Sequence, residues 1–210
     1  MKVLFINITK HFEGPPDKKH SHTRHVLPPI DVGYCAALLE ENGHESLLID
    51  TATGHFNTQS IREKIREENI DVIVLKPDIR AYQLTLELAR QIKAFSCHII
   101  CMGPRASTSP ELFIFEGSPV DLCIIGEAEF TLLEIMEKIK HGKRTDGIRG
   151  TCYFNKTLVT ESPRELCGDL DSLPYPKHDL FIDKGYSFQY PIAINNKKNL
   201  IRVNVHYGDP

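Results

Sequence analysis

The sequence predicts an α/β fold, a three-layer Rossmann-like (flavodoxin-like) arrangement in which a five-stranded parallel sheet carries helices on both faces. Three observations predict it. Short apolar, β-branched runs alternate with helical stretches of ten or more residues over the first 140 positions. Runs such as Asp71-Val-Ile-Val-Leu75 are apolar without alternation, as strands covered on both faces should be. Glycines close helical stretches where a left-handed cap is wanted, at Gly43 and Gly142.

The elements follow in order. Lys2 to Ile8 reads as the first strand, and a long Pro-, His- and Lys-rich loop, Thr9 to Pro29, leads into a helix from Ile30 to Asn42. Glu45 to Asp50 is the second strand, Ser60 to Asn69 an amphipathic helix, Asp71 to Leu75 the third strand and Tyr82 to Phe95 the next helix. Cys97 to Met102 forms the fourth strand, followed by Gly103-Pro-Arg105 and a short helix after Pro110. Asp121 to Ile125 is the fifth strand and Phe130 to His141 the last helix. Right-handed crossovers then give the strand order 2-1-3-4-5. Asp146 to Thr160 reads as a small β-hairpin turned at Asn155-Lys156, on the edge of the domain. Residues 1–160 form the expected domain. From Glu161 the composition shifts to Pro, Asp and aromatics, so 161–210 is expected to be an extended linker on a surface, ending in one strand at Asn199 to Val205.

Composition narrows the function. With 25 Lys and Arg against 28 Asp and Glu, the net charge of -3 leaves no basic field for nucleic acid or an anionic membrane. No apolar run approaches the roughly 20 residues of a membrane helix, and no signal peptide precedes the first strand, so a cytoplasmic protein is expected. The six cysteines contain no C-x-x-C pair, and Cys97, Cys101 and Cys123 fall in apolar runs, as reduced core thiols do.

In an open parallel sheet, ligands bind outside the carboxyl ends of the strands where strand order reverses, here between the first and third strands. Four loops converge there: Thr9 to Pro29, Lys76 to Ala81, Gly103 to Ser109 and Gly126 to Glu129. The first far exceeds the usual two to six or so residues, which suits a large ligand. Its histidines, His11, His20, His22 and His25, lack the spacing of a zinc site, and no metal ligands are assigned. No G-x-G-x-x-G follows the first strand, so Asp50 reads as a strand-end cap and not as a ribose-binding acid. No G-x-S-x-G or other nucleophile constellation is present, and no catalytic residue is assigned.

Several ordered motifs carry a family likeness. They are Leu27-Pro-Pro-Ile-Asp-Val-Gly-Tyr-Cys-Ala-Ala-Leu-Leu-Glu40, Gly43-His44 leading into Ile49-Asp50, Leu86 to Lys93, Met102-Gly-Pro-Arg-Ala-Ser-Thr108, Val120-Asp121 and Gly126-Glu-Ala-Glu-Phe-Thr-Leu-Leu133. The linker Leu170-Asp-Ser-Leu-Pro-Tyr-Pro176 completes the set. Together they resemble the N-terminal cobalamin-binding domain of cobalamin-dependent radical S-adenosylmethionine (radical SAM) proteins, in which such a linker joins the domain to a catalytic barrel. The resemblance implies a corrin on the carboxyl edge. The residues expected to meet it are Asn7, Pro29, Ile30 and Gly33 from the first strand and helix, and Lys76, Asp78, Ile79 and Tyr82 after the third strand. Gly103, Pro104, Arg105, Gly126, Glu127 and Glu129 complete the expectation from the later loops. The sequence lacks the D-x-H-x-x-G string that marks a lower-ligand histidine in methionine-synthase-type domains. Charged Lys76 and Arg80 also stand where the family commonly carries small hydroxyl residues, suited instead to the corrin's polar rim.

The resemblance further implies a 4Fe-4S cluster and S-adenosylmethionine in a parent protein, held by C-x-x-x-C-x-x-C thiolates in the barrel. The chain ends His206-Tyr-Gly-Asp-Pro210, with Asp209 at the position of the first of those cysteines, so residues 161–210 are expected to lead toward a barrel this chain does not contain. Two other readings stand beside this one. One is a ligand-free structural or protein-interaction domain, and the other a nucleotide- or flavin-binding domain on the same fold.

Overall fold

A computed structural model describes residues 1–9, 26–54, 56–95, 97–182 and 184–186. The histidine-rich stretch of the first loop, the expected strand at Asn199 to Val205 and the terminal His206 to Pro210 lie outside the described residues.

The parallel strands are β1 (Lys2–Ile8), β2 (Glu45–Asp50), β3 (Val72–Pro77), β4 (His98–Cys101) and β5 (Leu122–Ile124), in the expected order β2-β1-β3-β4-β5. The sheet does not stop there. β6 (Thr151–Asn155) adds antiparallel to β5, and β7 (Thr157–Thr160) pairs with β6, so the expected edge hairpin belongs to one seven-stranded sheet. The physical reason is the edge itself. β5 has three residues, all buried, and without β6 its polar backbone would be left unpaired. Lys156, at φ 63, turns the hairpin at the expected place.

Among the described residues five α-helices connect the strands: α1 (Ile30–Glu41), α2 (Thr58–Glu68), α3 (Tyr82–Ile92), α4 (Pro104–Thr108) and α5 (Glu129–Lys140). α2 starts two residues earlier than expected, because Asn57 caps it: its side chain accepts from Ser60 N at 2.8 Å, and Ser60 Oγ accepts from Asn57 N at 3.2 Å. The Gly103-Pro-Arg stretch opens α4, with Pro104 in the first turn where its missing N–H costs nothing.

Two cores sandwich the sheet. α2 and α3 bury Ile61, Ile65, Leu88 and Ile92 on one face, while α1 and α5 bury Cys35, Leu39, Leu132 and Ile135 on the other. His44 Nε2 meets Glu137 Oε1 at 2.9 Å and ties the end of α1 to α5.

α1 is apolar around most of its circumference, with Ile30, Val32, Gly33, Cys35, Ala36, Ala37, Leu38 and Leu39 all buried. A helix with no polar face needs cover on every side. The sheet and α5 supply two sides. Residues 176–182 and 184–186 supply the third, as a strap lying across α1. Lys177 N donates to Gly33 O at 3.0 Å, Lys177 pairs with Glu40, and Phe181 is fully buried in the same core as β1. Gly33 permits the contact, since a Cβ there would stand 3.1 Å from both Pro176 and the Phe181 ring. The linker is exposed as expected at Leu170 and Tyr175, but from Pro176 it becomes part of the core.

Phe181→Ala is therefore expected to lower the unfolding free energy by about 3–5 kcal/mol, as large-to-small changes in closed cores do. Denaturant titration of the purified chain measures this. A loss below about 1 kcal/mol would mean that the strap is a surface appendage.

Candidate functional site

The β1/β3 junction is the switch point, with β2 on one side of β1 and β3 on the other. Register brings Asn7 opposite Lys76 and Ile8 opposite Pro77 at the carboxyl ends. The start of α1 closes the space above them. The result is a cleft of about 350 Å³ lined by Asn7, Leu27, Pro28, Pro29, Ile30, Asp31 and Lys76.

Lys76 is half-buried, and its Nζ lies 3.4 Å from Asp31 Oδ2. Its aliphatic stem passes Gly103, where a Cβ would stand 3.4 Å from Lys76 Cγ and where φ is +92. Glycine is thus favoured at 103 by backbone conformation, the Lys76 stem standing at ordinary van der Waals distance. Asn7 is fixed at both ends. Its carbonyl accepts from Thr51 N at 3.0 Å and Thr51 Oγ1 at 3.1 Å, and its Nδ2 donates to Asp50 Oδ2 at 2.8 Å. Asp50 Oδ1 accepts from Ala52 N at 2.8 Å, the strand-end cap expected of it. Asp50 Oδ2 also accepts from Tyr186 Oη at 2.7 Å. Burial, and then the Asp50 charge, hold the Tyr186 phenol well above its usual range.

The later loops add to the same edge. Gly126, at φ 83, donates its N–H to Ser107 Oγ at 3.0 Å and so joins the β5 loop to α4. Arg105 Nη1 donates to Ser109 Oγ at 3.4 Å, while its buried Nε has no partner. Glu127 Oε2 accepts from Cys167 N at 3.5 Å and turns toward the linker. Glu129 is 2% exposed in the first turn of α5, and its Oε1 is buried without a partner. Burial raises its carboxyl to about 7; backbone N–H groups at Glu129 and Ala128 oppose the rise, and the charges of Glu127 and Asp31 add to it.

The structure thus brings Asn7, Pro29, Ile30 and Lys76 into one cleft, with Gly103 against Lys76. Pro104 and Arg105 sit on α4, and Gly126 is hydrogen-bonded to that helix. Asp78 and Ile79 project into solvent beside the cleft, Ile79 being 63% exposed. Gly33 faces the strap, and Tyr82 packs against the core beneath α2 and α3. Sequence reasoning missed Asp31, Ser107 and Tyr186. Asp31 carried a signal, an acid in a first helical turn, but its partner is 45 positions away in Lys76. Asp50 to Tyr186 spans 136 positions and had no local signal.

A second cavity, of about 520 Å³, is larger and lies elsewhere, between β2, Phe56, Ser60 and Lys64 of the α2 segment, and Lys184-Gly185 of the strap. Volume favours it, whereas topology favours the smaller cleft. The smaller one stands at the switch point with the convergent loops, and it is the candidate site.

The residues at the switch point fit a corrin. Its primary amides need both donors and acceptors, and this edge supplies the N–H groups of the uncapped first turn of α1, the Lys76 ammonium, the Asn7 amide and the Asp31 carboxylate. Arg105 Nε in α4 and Glu129 Oε1 in the first turn of α5 are buried polar atoms without partners, but neither residue lines the cleft. Lys76 lines the cleft and leaves it open, because Asp31 holds the ammonium to one side.

Glu129 makes stability depend on pH. Its folded carboxyl keeps a proton that the unfolded chain releases near the usual 4.5, so stability is greatest below about 4.5 and falls as pH rises toward 7. Glu129→Gln is expected to remove that decline, worth up to ~3 kcal/mol between the two ends. Urea denaturation at pH 4.5 and pH 8 measures it. An equal decline in the variant would assign the pH dependence to other groups.

Comparison with known proteins agrees with this fold. The model of the B12 binding domain family matches residues 21–136. A curated relative, the uncharacterized methyltransferase PH0819 of Pyrococcus horikoshii, is 26% identical over 171 residues, covering 80% of this chain and 37% of the relative. This chain therefore spans well under half of that protein. Among solved structures, the cobalamin-dependent S-adenosylmethionine radical enzyme OxsB, with aqua-cobalamin and S-adenosylmethionine bound, superposes with a TM-score of 0.69 at 19% identity, over 86% of this chain and 24% of OxsB. The radical S-adenosylmethionine methyltransferase TsrM from Kitasatospora setae, with cobalamin and a [4Fe-4S] cluster bound, gives 0.61 at 18% identity, over 90% of this chain and 32% of TsrM. Those likenesses establish a shared fold. The family match supports cobalamin over the nucleotide, flavin and ligand-free readings. Among the described residues no helix is long and apolar enough to cross a membrane. With a family match over more than half its length and a cleft at the switch point of its sheet, the chain belongs to the B12-binding domain family.

Proposed function

We propose that this chain holds cobalamin in the β1/β3 cleft and presents it to a radical SAM barrel in the same polypeptide. There the cobalamin would serve methyl transfer or another radical reaction. The observation that carries the site assignment is the meeting of Asn7, Ile30, Asp31 and Lys76 at the switch point of the sheet. Residues 1–160 are the cofactor module on this reading, and 161–210 lead into the barrel, where the 4Fe-4S cluster and S-adenosylmethionine reside. The corrin likeness of the motifs, the PH0819 relative and the OxsB and TsrM folds support it.

Cobalamin supplies a cobalt centre that carries a methyl group. The chain's own residues have simpler tasks. The first turn of α1 and Lys76 donate to amide oxygens on the rim of the disc, Asn7 accepts, and exposed Ile79 offers apolar surface beside the cleft. The buried free cysteines on β4, β5 and β6, at positions 101, 123 and 152, suit a reducing cytoplasm.

Titrating the purified chain with hydroxocobalamin tests the proposal. The expected result is a shifted visible spectrum and co-elution of corrin with protein on gel filtration. An unchanged spectrum with complete separation would overturn it.

A further inference from the structure

The orientation of the Asn7 amide is set by chemistry. Nitrogen and oxygen of an amide are told apart by their partners, and a carboxylate only accepts. Asp50 presents Oδ2 to Asn7 at 2.8 Å, so the NH2 group must face Asp50 and the amide oxygen must face away. Asn7 lines the β1/β3 cleft, and its oxygen therefore addresses the ligand. Three further bonds hold the Asn7 main chain and the Asp50 carboxylate in place. Thr51 holds the Asn7 carbonyl through its N–H and its hydroxyl, and Tyr186 Oη donates to Asp50 Oδ2 at 2.7 Å and fills a site from which Asp50 could otherwise bond elsewhere.

A neighbouring donor set makes this acceptor distinctive. Lys76 and the first-turn amides of α1 donate, Pro28 and Pro29 have no N–H to turn toward the ligand, and the other side-chain acceptor of the lining, the Asp31 carboxylate, is paired with Lys76 Nζ at 3.4 Å. Asn7 Oδ1 is thus an acceptor fixed in direction on the Asp50 side of the cleft. A ligand carboxylate placed against it would set oxygen against oxygen, with the Asp50 charge directly behind.

We infer that Asn7, oriented by Asp50 and Tyr186, is a specificity-determining residue that accepts a hydrogen bond from a primary-amide N–H on the corrin rim and rejects a carboxylate at that position. The inference rests on cobalamin occupying the cleft. Asp50 and Tyr186 are positioning residues that act through Asn7.

The test compares hydroxocobalamin with its monocarboxylic acid isomers, in each of which one rim propionamide is hydrolysed. The wild-type chain is expected to bind one isomer at least about 10-fold more weakly than hydroxocobalamin, since a site built for an N–H leaves its own acceptor unpaired when the N–H is lost. In Asp50→Asn the residue-50 side chain can donate as well as accept, the Asn7 amide can turn over, and that ratio is expected to fall several-fold. Tyr186→Phe keeps the ring contact with Phe181 and should lower the ratio in the same direction by less. Because it removes one hydroxyl, it serves where Asp50→Asn unfolds. If the wild type does not bind hydroxocobalamin, the corrin assignment itself fails. If it binds hydroxocobalamin and every isomer alike, or if Tyr186→Phe and a folded Asp50→Asn both keep the full ratio, the role of Asn7 is overturned while the corrin assignment stands.

Discussion

The carboxyl edge of this domain depends on one constraint, the pairing of β1 on both sides. β1 runs parallel to β2 from Lys2 opposite Glu45 to Asn7 opposite Asp50, and parallel to β3 from Val3 opposite Val72 to Ile8 opposite Pro77. The two ladders leave no freedom of register, because a one-residue slip would turn Leu4 and Ile6 out of one core and Val3 and Phe5 out of the other. Three strand-end residues consequently lie in one row: Asp50, Asn7 and Lys76. A carboxylate and an ammonium flank a neutral amide. Asp50 is satisfied by Tyr186, Ala52 and the NH2 of Asn7 itself, and Lys76 by Asp31. Of the amide, only the oxygen is left to a ligand.

The strap ties that row to the chain that follows. Phe181 and Tyr186 pack edge to face, with ring centroids 5.6 Å apart, so the tyrosine that bonds Asp50 belongs to the same cluster that seals α1. Burial of Phe181 contributes on the order of 2–3 kcal/mol, far more than the half-exposed Lys177–Glu40 pair beside it. Packing, then, and not surface charge, holds the strap. Through the Tyr186 bond to Asp50 the same segment touches the row of strand-end residues at the candidate site.

The fold was legible because its signals are local. Alternation of short apolar runs with helices implied the parallel sheet, and Gly43 marked the end of α1. Asn155-Lys156 marked the hairpin turn. The joining of that hairpin to β5 was not legible, since it follows from the need of a three-residue strand for a partner. The all-round apolar character of α1 needs a third covering element, but nothing local to the Pro- and Asp-rich linker marks Phe181 as that cover, so the surface linker expected there becomes core only in the structure. At the site, Asn7, Pro29, Ile30 and Lys76 could be found from strand ends and loop positions. Asp31 and Tyr186 could not, because their roles come from partners far along the chain. Gly33 illustrates the converse: its place in a family motif suggested a ligand contact, and its missing side chain makes room for Phe181 and Pro176.

The central claim is that a corrin docks at the β1/β3 switch point and not in the larger cavity beside β2. Amide hydrogen exchange of the chain with and without hydroxocobalamin addresses it most directly. Docking at the switch point predicts added protection at residues 30–33, 78–82 and 103–107, with residues 53–64 unchanged. Protection concentrated at residues 53–64 and 184–186, with the α1 first turn unaffected, would contradict it.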